Sequence, residues 1–506
     1  MNQPMETDLL IVGGGINGAG IARDAAGRGL RVLLCEKDDL AAHTSSASTK
    51  LIHGGLRYLE YRQFGLVRKA LQEREVLMRI APHLIRPLRF VMPHQPVQRP
   101  AWMIRAGLFL YDHLAHRSLL PASEILDLEQ HPAGAALKSS FYKGFAYSDA
   151  AVDDARLVVL NALDASEHGA TVLTRTACVA AQANDKGWQA QLRREDGTEI
   201  AVQARCLVNA SGPWVGEFAH QLVAGKTIPP LRLVKGSHIV VKHLFSHPYA
   251  YLFQHHDGRI VFAIPYQEDY TLIGTTEVDF QGDPGQVTMD EAEKAYLLDI
   301  CAQYFATTPG PEDIVQAFSG VRPLIGEGDG KAASALTRDY HLQFDQVPAP
   351  LLTVLGGKIT TYRRLAEEAM QLLTTVFPAM PPAWTAGACL PGGDIAGAAP
   401  RDQAVNELTG FILDCQRQYS WLAPSLAERY ACAYGSRIHR LLVHCYSAKD
   451  MGRQILPGLY EREIDYLLHT EWACSSADIL WRRTHLGLHL QGQDSSALDA
   501  FLAGLH

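Results

Sequence analysis

The stretch TDLLIVGGGINGAGIARDAAGRGLRVLLCE, residues 7–36, decides the fold, because it reads as a complete strand, turn, helix and second strand. Its first apolar run, Asp8 to Val12, breaks into Gly13-Gly14-Gly15-Ile16-Asn17-Gly18, which matches G-x-G-x-x-G at positions 13, 15 and 18. Gly13 permits the tight turn, Gly15 removes the Cβ that would hold a pyrophosphate off the backbone, and Gly18 lets the helix lie close on the strand. That helix carries Ile21, Ala22, Ala25 and Ala26 on one side and turns the amides of its first residues, Asn17 among them, toward the phosphates. The second strand, Arg31 to Cys35, ends at Glu36, where a carboxylate accepts ribose hydroxyls. A glycine-rich turn alone would carry little weight. With strand, helix and terminal acid in order, the unit predicts a dinucleotide site.

Around this unit lie 506 residues, enough for two or three domains. The composition is that of an ordinary globular protein, and a formal charge of −8 argues against a general nucleic-acid binder. Nine cysteines between Cys35 and Cys474 contain no C-x-x-C pair, so metal-ligand and disulfide-framework spacings are both missing. Reduced cysteines in a cytoplasmic protein are expected, and no metal. No basic region precedes the first apolar run, and no apolar run approaches the ~18 residues of a spanning helix. Any meeting with a membrane is therefore expected to be peripheral.

After Glu36 comes Thr44-Ser45-Ser46-Ala47-Ser48-Thr49, which leads into Lys50-Leu51-Ile52-His53-Gly54-Gly55-Leu56-Arg57-Tyr58. Hydroxyls and amides beside Lys50 suit an anionic pyrophosphate, and Gly54-Gly55 lets a planar ring approach the backbone. Read alone, the same residues also make a capped helix start with a glycine turn. Farther on, Cys206 to Trp214 is a buried strand ending in the small residues Ala210, Ser211 and Gly212, and Leu351 to Leu355 is an apolar strand before Gly356-Gly357-Lys358-Ile359-Thr360-Thr361. Backbone amides at that last turn can stabilise negative charge.

Several blocks closely resemble the FAD-dependent glycerol-3-phosphate dehydrogenase family: GGGINGAGIARDAAGRGL, SSASTKLIHGGLRYLE, YSDAAVDDARLV, LVNASGPWV, VKGSHIVV, IGTTEVD, SGVRPL, TRDY and GGKITTYRRLAE. They recur in order from about residue 8 to 370. The resemblance implies a flavoprotein oxidising sn-glycerol 3-phosphate to dihydroxyacetone phosphate, in the α/β fold shared with amino-acid oxidases. A discontinuous Rossmann-like FAD-binding domain is expected from residues 1–75, 145–215 and 350–388. An antiparallel-sheet substrate domain would take 76–144 and 216–349, and a C-terminal helical cap 389–506. By resemblance, the FAD contacts are Gly13, Gly15, Asn17, Gly18, Glu36, Thr44, Ser45, Ser46, Lys50, His53, Gly54, Gly55, Val179 beside the adenine, Ala210, Gly212, Gly356, Gly357, Lys358 and Thr360.

Oxidising an alcohol beside a phosphate requires cations, a hydride acceptor and a base, and the flavin supplies only the acceptor. Carried over motif by motif, Arg57, Tyr58, Thr276, Arg322, Arg338 and Lys358 would hold the substrate. Arginine's planar fork donates paired charge-assisted hydrogen bonds to phosphate. His238 is the best base on chemical grounds, since an unperturbed imidazole titrates near ~6.5. His53 competes for that role, and Arg322 suits the developing alkoxide.

Residues 76–111 hold five arginines and no acid. Within them, Trp102, Met103, Ala106, Phe109 and Leu110 make one broad helical face opposite Arg105, Asp112 and His116. An interfacial anchor requires such a face, and a core helix would also use it. The anchor reading favours a dehydrogenase feeding a membrane quinone from the cytoplasmic side, with a homodimer as one allowed assembly. A soluble oxidase using oxygen is the alternative, followed by a flavin redox sensor without turnover. An amino-acid oxidase is disfavoured by the number of cations. Ser425-Leu426-Ala427-Glu428 has capping-box spacing and predicts a helix start in the tail, which shows no chemistry of its own.

Overall fold

The computed structural model describes residues 3–95, 99–222, 228–255, 257–326, 339–490 and 495–505. The first strand, Met5–Val12, lies inside an eight-stranded sheet, paired in parallel with Val32–Cys35 on one side and Glu199–Asn209 on the other. Thr171–Leu173 and Leu351–Leu355 continue the parallel order outward. His341–Asp345 adds an antiparallel edge, and the hairpin Thr176–Asn184 to Gly187–Arg194 folds back on Glu199–Asn209. Parallel strands of this kind are apolar on both faces and need helical cover. The helix Ile16–Gly27 supplies it, packed between Asp154–Glu167 and Tyr362–Leu372. The core there joins Leu9, Ile11, Ile21, Ala25, Val158 and Leu365.

Among the described residues the second sheet has ten strands. Leu231–Lys242 is paired antiparallel with both Tyr270–Gly274 and Ile314–Ile325, while Ile85–His94 and Lys143–Val152 form an antiparallel pair farther along. The two halves meet where Ala250 and Tyr251 run parallel to Phe90 and Val91, so the sheet expected to be antiparallel is mixed. That join brings together segments lying before and after residues 154–222, whose strands belong to the first sheet. Leu51–Ile52 and Lys143–Val152 belong to this sheet, although the boundaries read at 75 and 145 place all or most of each in the FAD domain. Alternation of apolar residues reports a strand but not its distant partner.

Helix Asp154–Glu167 starts as expected, with Asp153 accepting from Arg156 N. The start near Ser425 differs. The helix is Pro424–Tyr434, with Pro424 at its first position and no side-chain cap. Proline's fixed φ and missing N–H favour that position, so the S-x-x-E spacing goes unused. The C-terminal helices enclose their own core, including Ala427, Tyr430, Leu459, Leu467 and Leu498.

The helix Ala101–His113 buries part of its apolar face and exposes the rest. Leu108 and Tyr111 are buried, whereas Trp102 is 70% exposed and Phe109 57%, with Met103 and Leu110 exposed beside them. Arg105 donates to Ser123 Oγ at 2.7 Å and Asp112 accepts from the same serine, so these two face the protein, whereas His116 lies beyond the helix and is exposed. No helix among the described residues is long and apolar enough to cross a membrane.

Candidate active site

Two cavities meet at the N-terminal end of the helix Ile16–Gly27. One, of about 790 Å³, runs from Glu36 past Cys178 to Trp214, and the other, of about 250 Å³, runs from Asn17 to His238 and Arg322. Gly15, Thr44, Ser45, Ala210 and Gly212 wall both, which makes one trough. The backbone can close on it only without side chains. A Cβ at Gly18 would stand 1.9 Å from Gly13 O, and one at Gly13, with φ of +113°, 2.5 Å from Ala210 O. At the nucleoside end, Glu36 accepts from Gly14 N at 2.6 Å and Asp38 N at 3.0 Å, while burial pushes its pKa up. Val179 itself faces a neighbouring surface cleft. It is the extra residue of a bulge between Cys178 and Ala180, which takes its backbone out of the ladder.

The loop between Glu36 and Lys50 shapes the middle of the trough. Ser45 Oγ accepts from Ile16 N at 3.0 Å, and Thr44 donates to Val321 O at 2.8 Å. Lys50 turns away from the trough, and with Ser46 it lines an adjoining cavity of about 210 Å³ that shares Thr44 with the trough. Lys50 Nζ bonds Asp154 Oδ1 at 2.7 Å and Ser46 O at 2.9 Å, so its charge is spent on folding the loop rather than presented to a pyrophosphate. Asp154 also accepts from the Ser48 hydroxyl at 2.7 Å. The sequence gives no sign of this pair, which joins residues 104 positions apart.

At the far end, Gly356 O accepts from Asn17 Nδ2 at 3.1 Å, and Thr360 Oγ1 accepts from His53 N at 3.2 Å. Gly357, with φ of +108°, lies against the Asn17 amide, and the Gly54 amide donates to Tyr111 OH at 2.9 Å. Gly55, at φ +77°, lies under the Tyr58 ring. Lys358 Nζ stands 3.6 Å above the centre of that ring, and Arg322 lines the same cavity. Burial draws the Arg322 pKa below the ordinary value, and its Nη2 has no hydrogen-bond partner among the described residues. His238 stacks on Phe318 at 5.0 Å, and its Nε2 lies 3.0 Å from Thr49 Oγ1. Burial first, then Lys50 and Arg322, lower its pKa to about 3, so the ring is neutral.

Arg57 lies in an adjoining cavity that shares His53, Tyr58, Phe262 and Thr275 with the trough. Thr276, expected at the substrate, is turned away: its hydroxyl donates to Glu293 at 2.6 Å and accepts from Ser237 N. Thr275 lines the trough in its place. Adjacent residues present opposite sides, and the motif alone does not say which side is inward. Thr49, from the hydroxyl-rich run, and Phe262, which carried no sequence signal, also line the trough. Arg338 lies outside the described residues. Glu36, Asp38 and His43 come close enough together to hold a metal ion, yet Asp38 is already paired with Lys37 and His43.

The trough fits FAD: an acid at the nucleoside end, amides and glycines at its centre, and Asn17 Oδ1, Arg322 Nη2 and His238 Nδ1 without partners among the described residues at the other. Comparison with known proteins agrees. Residues 8–363 match the FAD dependent oxidoreductase family, and residues 384–503 match the C-terminal domain of alpha-glycerophosphate oxidase. The chain is 51% identical over 501 residues to a glycerol-3-phosphate dehydrogenase of Pseudomonas aeruginosa, covering 99% of this chain and 95% of that one. It is 48% identical to a D-erythritol 1-phosphate dehydrogenase of Brucella abortus, covering 98% of both. The structure of a glycerol-3-phosphate dehydrogenase from Bacillus halodurans complexed with FAD superposes with a TM-score of 0.80 at 27% identity, covering 99% of this chain and 90% of that one. The chain belongs to the FAD-dependent glycerol-3-phosphate dehydrogenase family.

Proposed function

We propose that the protein oxidises sn-glycerol 3-phosphate to dihydroxyacetone phosphate and passes the electrons to a membrane quinone from the cytoplasmic face. The observation that carries the reading is the pair His238 and Arg322, both in the trough wall and each with a nitrogen lacking a partner among the described residues. Bound FAD supplies the two-electron acceptor. Arg322 offers a desolvated cation to the substrate oxygen, where low polarity strengthens the attraction. Neutral His238 is able to receive the hydroxyl proton, and the substrate's phosphate dianion favours its charged form. Lys358, Arg57 and Arg338 are the cations for that phosphate.

The quinone branch rests on the exposed Trp102, Met103, Phe109 and Leu110. Burying one such aromatic in a lipid interface is worth ~1.5–3 kcal/mol, and Arg105 on the other side of the helix is already bonded within the protein. A second reading, turnover with oxygen, leaves this face without a partner. The branches separate in one experiment: reduce the enzyme anaerobically with substrate, then add a short-chain quinone or air-saturated buffer. Faster reoxidation by quinone is expected, and faster reoxidation by oxygen would make the protein an oxidase.

A further inference from the structure

The segment 478–490 of the helical domain lines neither part of the trough, yet it grips the 36–50 loop that does. Arg483 is fully buried and bonds both oxygens of Asp39, at 2.9 and 2.8 Å, while its Nη2 also donates to Glu471 O at 2.8 Å. Arg482 Nε reaches Asp39 Oδ2 at 2.6 Å and spans back to Asp478. A few residues on, His485 Nε2 lies 2.8 Å from Asp153 Oδ2. Burial acts to raise the Asp153 pKa, but His485 together with the amide and charge of Arg156 holds the carboxyl at about 2. The neighbouring Asp154 anchors Ser48 and Lys50, so the seam reaches the far end of the same loop.

Between Glu36 and Lys50 there is no strand or helix. No long backbone ladder holds this segment, so side chains set its shape. Asp39 fixes one end and the Asp153-Asp154 pair the other, leaving Thr44 and Ser45 between them against the trough. We propose that the C-terminal helical domain is a latch on the FAD, in which Arg482, Arg483 and His485 are positioning residues that hold the loop closed and set how fast the cofactor leaves. The latch takes FAD as the occupant of the trough and is independent of which alcohol is oxidised. Coupling between two sites is reciprocal, so bound FAD must in turn tighten the seam.

The test compares Arg482→Met and Arg483→Met with Leu498→Ala, which leaves a cavity in the same domain's core without touching Asp39. FAD dissociation is followed by the recovery of free flavin fluorescence after dilution of the holoenzyme. The arginine variants should release FAD at least tenfold faster, and Leu498→Ala should release it at the parent rate despite a lower Tm. Hydrogen exchange gives a second readout in the unaltered chain: amides at 479–488 should exchange more slowly in holoenzyme than in flavin-stripped protein. Parent-like release from Arg482→Met, equal acceleration by Leu498→Ala, or exchange at 479–488 indifferent to FAD would each overturn the latch. If Arg483→Met fails to fold, Arg482→Met and the exchange experiment still decide.

Discussion

The two ends of the trough are built differently. At the nucleoside end, recognition comes from backbone: Gly13, Gly15 and Gly18 clear space, and Glu36 is held by the amides of Gly14 and Asp38. At the other, the wall is made of side chains brought from separate strands and loops, with buried His238 on Leu231–Lys242, half-buried Arg322 on Ile314–Ile325 and half-buried Lys358 beyond Leu351–Leu355. The glycine turn and Glu36 of the first end lie within one stretch of sequence, and Gly13 and Gly18 leave no room for a Cβ. The second is assembled by strand pairing, and the groups that distinguish it are cations and an imidazole. Cofactor and substrate recognition therefore fail in different ways.

Gly18→Val should have the largest effect. Its Cβ has no room against Gly13 O, so purified protein should carry no flavin, and a yellow variant with the parent's absorbance would break the backbone account. His238→Ala should come next, retaining FAD but slowing flavin reduction at saturating substrate by ~10²–10⁴. An unchanged rate would remove His238 from the chemistry. The same residue offers a titration. Its folded pKa of about 3 lies below the unfolded value near ~6.5, so stability from the neutral ring is complete above that value and falls as pH drops toward 3. Nitrogen-15 spectra of labelled histidine should show His238 neutral from pH 5 to 8, and a midpoint near 6.5 would place the ring in water. The smallest effect is expected from Trp102→Ser with Phe109→Ser, which should weaken sedimentation with anionic lipid vesicles about tenfold or more while leaving flavin reduction by substrate intact. Undiminished binding would return that face to another role.

The legibility of the sequence follows the same division. Residues 7–36 disclosed their structure because turn, helix and acid lie within one stretch, and the motif blocks carried the family. Thr276 was misplaced by one position because its direction depends on pairing across the sheet. Lys50 was misread because its partner Asp154 lies on a distant helix, and charge in a loop does not announce its counterion. The C-terminal segment looked inert for a similar reason. Asp39 and Arg483 are 444 residues apart, and only the fold shows that they meet.

We propose that substrate delivers electrons to flavin at the His238 and Arg322 end of the trough. Anaerobic mixing of the FAD-loaded protein with sn-glycerol 3-phosphate tests it directly. Rapid bleaching of the oxidised flavin band is predicted in the parent, with bleaching slowed ~10²–10⁴ in His238→Ala. A parent flavin that stays oxidised in saturating glycerol 3-phosphate would contradict the substrate assignment while leaving the cofactor and family in place.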